Sequence, residues 1–148
     1  MIDIEKLKKE IESLRHGRGF LLAGLPQFNK LFGRDSIISS WQLLDHDASI
    51  AKNTLEILSE LQGKEVNDLK EEEPGKILHE TDLEGGQHTR WPFPYYGSID
   101  STPLYLILFY FYFEKTKDKN FIEKYWTNIE KAIDWIFNYG DKDKNLFI

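Results

Sequence analysis

An uninterrupted apolar run at residues 104–113, LYLILFYFYF, constrains the fold more than any other part of the sequence. It is about half as long as a membrane-spanning helix, which needs roughly 20 apolar residues. Asp100 and Ser101, just before it, are residue types that favour helix N-termini, and Pro103 suits a first helical turn. We therefore predict a helix at 104–114 that other helices cover on most sides.

Four further segments carry apolar residues at helical spacing. A surface helix with one buried stripe is predicted at 4–14, and a nearly all-buried helix at 35–44. A third helix, at 50–61, is followed by Gly63, a residue type common just after helix C-termini. The clearest amphipathic pattern runs through 121–137. Strand patterns are nearly absent, so the chain is predicted to be all-α, with about five helices arranged as antiparallel hairpins.

Composition narrows the classes of partner. The 148 residues suit one domain, and the net charge of −6, with Lys interleaved among Asp and Glu, argues against nucleic acid. There is no cysteine, which excludes a disulfide framework and a thiolate site. The sequence has neither a signal-peptide pattern nor a run long enough to cross a membrane, so we expect a cytoplasmic protein with no membrane partner.

The triplet Asp45-His46-Asp47 contains residue types that bind metals. A turn whose last residue, Asp47, caps the following helix is the favoured interpretation. We expect no metal and no cofactor.

The stretch between residues 71 and 100 has no helical or strand period. Loops of this length inside a compact domain are usually functional or disordered. Disorder fits poorly with the segment at 91–96, which reads WPFPYY and is too aromatic to stay solvated. We interpret the stretch as one wall of a binding site.

Three ordered motifs carry a resemblance to a known family. They are GLPQF and FGRDS at 24–28 and 32–36, EEPGKILHE at 72–80, and YYGSIDSTPL at 95–104. Together they resemble the glucosidase domain of glycogen debranching enzymes, the amylo-alpha-1,6-glucosidase family. The resemblance implies that residues 1–148 form a single incomplete domain, part of a glucoamylase-like (α/α)6 barrel.

The resemblance implies that Arg34 and Asp35 line the subsite for a terminal glucose. Asp accepts hydrogen bonds from sugar hydroxyls and Arg donates in a fixed fork, each such bond contributing about 1.5–3 kcal/mol. The alternative is that Asp35 caps the second helix and Arg34 pairs with a nearby acid. Asp100 is expected to cap the fourth helix rather than to bind sugar.

The second motif and the loop after it supply further candidate substrate-binding residues. Their charged and imidazole groups could point into one pocket, with aromatic rings offering flat faces to sugars. In the alternative interpretation, Glu73 and Glu80 satisfy backbone amides and brace the loop, and the aromatic residues form the core of the loop. The candidates are Lys76, His79, Glu80, Trp91 and Tyr96.

Hydrolysis of a glucosidic bond normally uses two carboxyl groups, roughly 6.5–9.5 Å apart in an inverting enzyme. The resemblance implies a general acid in a Trp-Lys-Asp-Ser-like motif beyond the turn at 141–148, and a base later still. We therefore expect the first five or so helices of a twelve-helix barrel, inactive alone. Glu73 and Glu80 could form a substitute pair, but an open half-barrel would not shelter the acid.

The leading hypothesis is a protein related to glycogen debranching enzyme that keeps part of a glucose-binding subsite for alpha-glucan. One alternative is a piece of an active amylo-alpha-1,6-glucosidase, split or truncated, that hydrolyses alpha-1,6-linked glucose at glycogen branch points. Another is a structural remnant that binds nothing. The apolar surface of the last two helices predicts a homo-oligomer or a complementing second half of the barrel.

Overall fold

The computed structural model describes residues 3–84 and 92–145. The described chain is mostly helical and contains one antiparallel sheet of two short strands. In chain order the elements are α1 (Ile4–Ser13), β1 (Leu31–Phe32), α2 (Gly33–Gln42), α3 (Ala48–Glu60), β2 (Glu80–Thr81), α4 (Ser101–Thr116), α5 (Lys119–Lys124), α6 (Trp126–Trp135) and a π-helix (Ile136–Gly140). None of the helices among these residues is both long and apolar enough to cross a membrane.

Helix α3 packs against both α2 and α4, and a buried hydroxyl pair joins it to each of them. Ser40 of α2 meets Thr54 at 2.8 Å, and Tyr105 of α4 meets Ser59 at 2.6 Å. The short link after α2 returns the chain as an antiparallel hairpin with α3. Burial raises the pKa of Tyr105, whose ring is fully enclosed. These polar pairs fix how the three helices sit against each other.

Helices α2 and α4 run side by side in the same direction. Their first residues are adjacent, since a Cβ on Gly33 would lie 3.0 Å from Ser101 Oγ. Further along, the Trp41 and Phe111 rings stack with centroids 4.8 Å apart. The N-terminal ends of the two helices therefore share one edge of the molecule.

The core lies among these helices and the segment around residue 77. Its members are apolar and almost without exposure to solvent, as expected for the main stabilising contribution to a domain of this size. They include Phe20, Leu31, Ile37, Leu55, Leu58, Ile77, Leu78, Leu108 and Tyr105.

The predicted last helix is not continuous. Tyr125 leaves helical geometry, with φ −107° and ψ 14°, and divides the segment into α5 and α6. Asp118 caps α5 by accepting a hydrogen bond from the amide of Phe121 at 3.2 Å. The Tyr125 hydroxyl donates to Glu56 at 2.8 Å, so a partly buried hydrogen bond holds the break in place. Apolar periodicity cannot reveal such a break, because both pieces keep the same buried face.

Several burial predictions are wrong. Helix α1 has no buried residue, and the predicted stripe begins with exposed Ile4 and Leu7. Helix α2 is not nearly all buried, since Trp41 is exposed. Helix α4 is not covered on most sides, because Tyr110 is 60% exposed. An apolar groove of about 300 Å³ remains along α4, α5 and α6, lined by Leu106, Phe109, Tyr110, Phe113, Ile122, Trp126, Ile129 and Ile133.

The predicted N-terminal cap of α3 is confirmed, and the predicted C-terminal cap is wrong. Asp47 precedes the helix and accepts a hydrogen bond from the Ser49 amide at 2.9 Å. The helix ends at Glu60 with Leu61 as its cap residue, so Gly63 does not cap it. Gly63 instead packs against backbone, and a Cβ there would lie 2.3 Å from the Glu73 carbonyl oxygen.

The sheet was not predicted. Leu31 pairs with Thr81 and Phe32 with Glu80, in two strands too short to show an alternating pattern. Tyr95 forms a further antiparallel bridge to Glu80. The sheet joins two of the sequence motifs and delivers the chain directly into the first residue of α2.

Candidate functional site

Arg34 and Asp35 lie in the first turn of α2, where β1 places them. Gly33 opens the helix, donates its amide to the His79 carbonyl at 2.8 Å and sits directly against backbone. A Cβ at this position would lie 2.2 Å from the Leu78 carbonyl oxygen. The N-cap residue is Phe32, without a side-chain cap, so Asp35 does not cap α2.

Arg34 lies between two carboxylates. Its Nη1 is 3.3 Å from Asp100 Oδ2, and its Nε is 3.9 Å from Asp35 Oδ2. All three side chains are close to half exposed. Donor and acceptor groups therefore stand side by side at the shared edge of α2 and α4, open to a ligand.

Asp100 occupies the N-cap position of α4 but makes no side-chain capping bond, which corrects the predicted role. Its Oδ1 accepts from Ser98 Oγ at 2.6 Å, and Ser98 Oγ accepts from the Ser101 amide at 3.2 Å. Ser98 thus accepts the hydrogen bond of a free amide at the N-terminus of α4, and the carboxylate of Asp100 is directed to Arg34.

The pKa of Asp100 reflects this arrangement. Burial by itself would raise it, but hydrogen bonds from Ser98 and Arg34 and the charge of Arg34 outweigh that effect. The pKa of Asp100 is therefore lowered, and at neutral pH the carboxylate is an acceptor only.

A row of rings leads away from this cluster. Phe28 meets Phe32 with centroids 6.1 Å apart, Phe32 meets His79 at 5.7 Å, and His79 meets Tyr95 at 6.0 Å, all edge to face. Phe28 is 55% exposed, and the other three are half-buried. Phe32, a member of this row, is the N-cap residue of α2 and comes two residues before Arg34.

The structure does not bring Lys76, His79 and Glu80 into one pocket. Lys76 lines a separate cleft of about 310 Å³ near the π-helix. His79 stands in the ring row, and Glu80 is buried with Lys30 Nζ 3.6 Å from its carboxylate. Glu73 lines the cleft with Lys76, so the substitute pair Glu73 and Glu80 divides between two surroundings.

Tyr96 lies in the core with 4% of its surface exposed, and its hydroxyl donates to the Leu61 carbonyl at 2.7 Å. Burial, and then the charge of Glu72, raise the pKa of Tyr96. The ring is not presented to the Arg34 cluster. Trp91, the remaining candidate, lies outside the described residues.

The sequence did not single out Phe28 or Phe32, and it left open which acid pairs with Arg34, which the structure shows to be Asp100 and, at a longer distance, Asp35. The two phenylalanines lie inside the first motif, four residues apart and just before Arg34, which is the signal that could have identified them. Arg34 and Asp100 are 66 residues apart in sequence, and only the parallel packing of α2 and α4 joins them.

The cluster can donate and accept hydrogen bonds without carrying a large net charge, which suits a neutral polyhydroxylated ligand. Within residues 3–84 and 92–145, no group of three or more His, Asp and Glu is arranged to hold a metal ion. No protein-family model matches the chain, and no curated protein matches it either.

Proposed function

We propose that this protein binds alpha-glucans through a glucose subsite at the shared edge of α2 and α4, as an incomplete domain related to the glucosidase of glycogen debranching enzymes. The observation that carries the proposal is the Arg34 cluster. A guanidinium stands between the carboxylates of Asp35 and Asp100, half exposed. Phe28 and Phe32 supply apolar surface beside it. A partial (α/α)6 barrel is part of the same proposal, supported by the alternating directions of α2, α3 and α4.

The physical basis is the match between this cluster and a sugar. Vicinal hydroxyls donate to ionised carboxylates and accept from guanidinium, and hydrogen bonds that involve a charged group are the stronger ones. The apolar C–H face of the ring packs on an aromatic side chain. A half-exposed surface site excludes little water, so affinity for a single glucose unit would be weak.

The test is calorimetric titration of the whole chain with maltose. We expect heat of binding, and Arg34→Ala should weaken the affinity about tenfold or more, corresponding to the loss of one or two charged hydrogen bonds. Asp35→Asn keeps the size of the side chain and should also weaken binding, because it removes an acceptor charge.

The matched control is Arg18→Ala. Arg18 is 45% exposed at its side chain and pairs with Glu60, whereas Arg34 is 47% exposed and pairs with Asp100. The control should bind maltose as the wild type does. Absence of heat with the wild-type chain, or equal affinity in Arg34→Ala, would contradict the proposal.

The proposal is for binding without hydrolysis. Glu73 is held by Trp135 Nε1 at 2.8 Å and by two lysines at 3.5 Å each, so its oxygens already have donors. Glu80 is buried beside Lys30. Release of glucose from a branched dextrin by the isolated chain would contradict this part and favour the glucosidase alternative.

A further inference from the structure

The apolar groove along α4, α5 and α6, called the α4–α6 groove below, is open to solvent. Its volume is about 300 Å³, and its lining residues are all aliphatic or aromatic. Tyr110 of α4 is 60% exposed and Trp126 of α6 is 53% exposed. Contiguous apolar surface rich in aromatic side chains and poor in charge is typical of the centre of a protein interface. The groove is therefore a candidate docking surface.

Helix α1 carries a second apolar surface that is open to solvent. Ile4 is 63% exposed and Leu7 is 46% exposed, and no residue of the helix is buried. Together with half-buried Ile11, these residues follow the spacing i, i+3, i+7, which places them on one face of the helix. The described residues of the same chain thus cover this apolar face only in part.

The face of α1 and the α4–α6 groove match in length and in kind. Ile4 and Ile11 are seven residues apart, which spans about 10 Å along a helix. Leu106 and Phe113, which both line the groove on α4, are also seven residues apart. Anchors at i, i+3 and i+7 are how an amphipathic helix binds in the groove of a partner. One α1 helix can therefore fill the groove of another molecule.

The end of α1 and one end of the groove lie near the same edge of the molecule. Arg15, just after α1, donates to Asp47 at 2.8 Å. Asp45, two residues before Asp47, accepts from Lys115 at 2.6 Å, and Lys115 comes two residues after Phe113 of the groove. Two copies can therefore exchange their α1 helices reciprocally, which closes a symmetric pair rather than an open filament.

Charges beside the two surfaces are complementary. Trp126 Nε1 donates to Glu130 at 3.0 Å, and none of the ion pairs among the described residues includes Glu130. Lys8 follows Leu7 on α1 and pairs with Glu5 at 3.0 Å, where both side chains are exposed and the pair contributes little. Docking of α1 can place Lys8 near Glu130, which offsets part of the repulsion between two chains of charge −6.

We propose that the protein self-associates by docking α1 of one copy in the α4–α6 groove of a second copy. The negative charge of the chain disfavours a membrane as the occupant, because cytoplasmic lipid surfaces are also negative. Few anchoring side chains make a weak contact, with a dissociation constant on the order of 100 µM. The chain is then monomeric in dilute solution, and the association does not depend on sugar binding.

The experiment is sedimentation velocity of the whole chain between about 1 and about 500 µM, a range that spans the expected dissociation constant. The mean mass should rise from one chain toward two. Leu7→Glu in α1 and Tyr110→Glu in the groove should each weaken the association about tenfold or more, because docking would desolvate the new carboxylate. Both positions are exposed in the single chain, so the temperature of unfolding should not change.

Two controls add the same charge elsewhere. Ser13→Glu changes an exposed position on the side of α1 opposite Ile4, and Leu69→Glu changes a side chain that is 80% exposed outside the groove. Both should associate as the wild type does. Ile4→Glu and Trp126→Glu repeat the test at a second position of each surface.

Mixing the two variants tests which surfaces meet. Leu7→Glu keeps an intact groove and Tyr110→Glu keeps an intact α1, so a mixed pair retains one of the two contacts. Each variant alone should stay monomeric up to the concentration at which the wild type associates. The equimolar mixture should associate, although more weakly than the wild type.

Three outcomes would overturn the proposal. The first is a wild-type chain that stays monomeric over the whole concentration range. The second is a Leu7→Glu variant that associates as the wild type does while Tyr110→Glu does not, which would mean that two grooves pair with each other. The third is a mixture that remains monomeric.

Discussion

Asp47 joins the end of α1 to the start of α3 through one carboxylate. Its Oδ1 accepts from the amide and hydroxyl of Ser49, and its Oδ2 accepts from Arg15 at 2.8 Å. Hydrogen bonds from Ser49, and then from Arg15, lower the pKa of Asp47. Glu56 is similar, since hydrogen bonds from Lys124 and Tyr125 lower its pKa. Single carboxylates therefore link elements that are distant in sequence.

The lowered pKa values of Asp47 and Glu56 make the free energy of unfolding depend on pH. The pKa of Asp47 in the folded state lies below its ordinary value of 3.8, so the unfolded chain binds the proton more readily. The stabilisation is present above the unfolded pKa and is lost as pH falls through the folded one. Asp47→Ala should lower the free energy of unfolding by about 1 kcal/mol at pH 7 and by less at pH 2.5.

Urea unfolding at the two pH values measures both differences. The control is Asp45→Ala, two residues away, whose side chain is 91% exposed and pairs only with Lys115 among the described ion pairs. Its effect should stay within about 0.5 kcal/mol at both pH values. An equal loss for Asp47→Ala at pH 7 and pH 2.5 would show that the carboxylate charge is not responsible.

At the scale of elements, the two-stranded sheet positions the start of α2, although each strand has only two residues. It pairs the first motif with the second. It also places Gly33 where the start of α2 contacts both the start of α4 and the backbone at 78–79. The placement of Arg34 relative to Asp100 depends on this close approach.

Gly33→Ala should be strongly destabilising. The new Cβ would lie 2.2 Å from the Leu78 carbonyl oxygen, and backbone has to move to admit it, which typically costs about 1–3 kcal/mol or more. Thermal unfolding measures the loss. Gly17→Ala is the control, because a Cβ there meets nothing within 4 Å, and it should change stability by no more than about 0.5 kcal/mol.

If Gly33→Ala unfolds at the same temperature as Gly17→Ala, the contact between α2 and the Leu78 carbonyl is looser than described. If it folds but is less stable, its affinity for maltose should fall too. The displaced backbone carries Arg34 directly.

At the scale of the molecule, the sequence predicted the helical class and the approximate helix positions, because apolar spacing reports one buried face. It did not predict the break at Tyr125, where the same face continues through both pieces. It also overstated the burial of α1 and α4, since apolar spacing does not show whether a covering element is present.

The candidate site was predictable only in part. The sequence placed Asp35 at the start of the second helix and Arg34 just before it, whereas both lie in the first turn of α2. Lys76, His79 and Glu80 are close in sequence, but the irregular segment that leads into β2 places them in a cleft, a row of rings and a buried ion pair, respectively. Their separation depends on packing against segments 20 to 60 residues away, which no local pattern records.

The lack of buried residues in α1 affects how the native protein unfolds locally. The helix buries no residue, and its ties to the rest include the Arg15–Asp47 pair and the amide of Leu22, which donates to the Leu14 carbonyl. Few buried contacts mean a low free energy of local opening. Amide hydrogens of α1 should therefore exchange with solvent far faster than those of α4, whose Tyr105 is fully enclosed.

Hydrogen exchange followed by mass spectrometry measures this directly, and equal protection of peptides from α1 and α4 would contradict it. We expect the protein to unfold in two stages. The first helix detaches and rejoins many times during the life of the folded protein, while the α2–α3–α4 core and the Arg34 cluster built upon it stay closed.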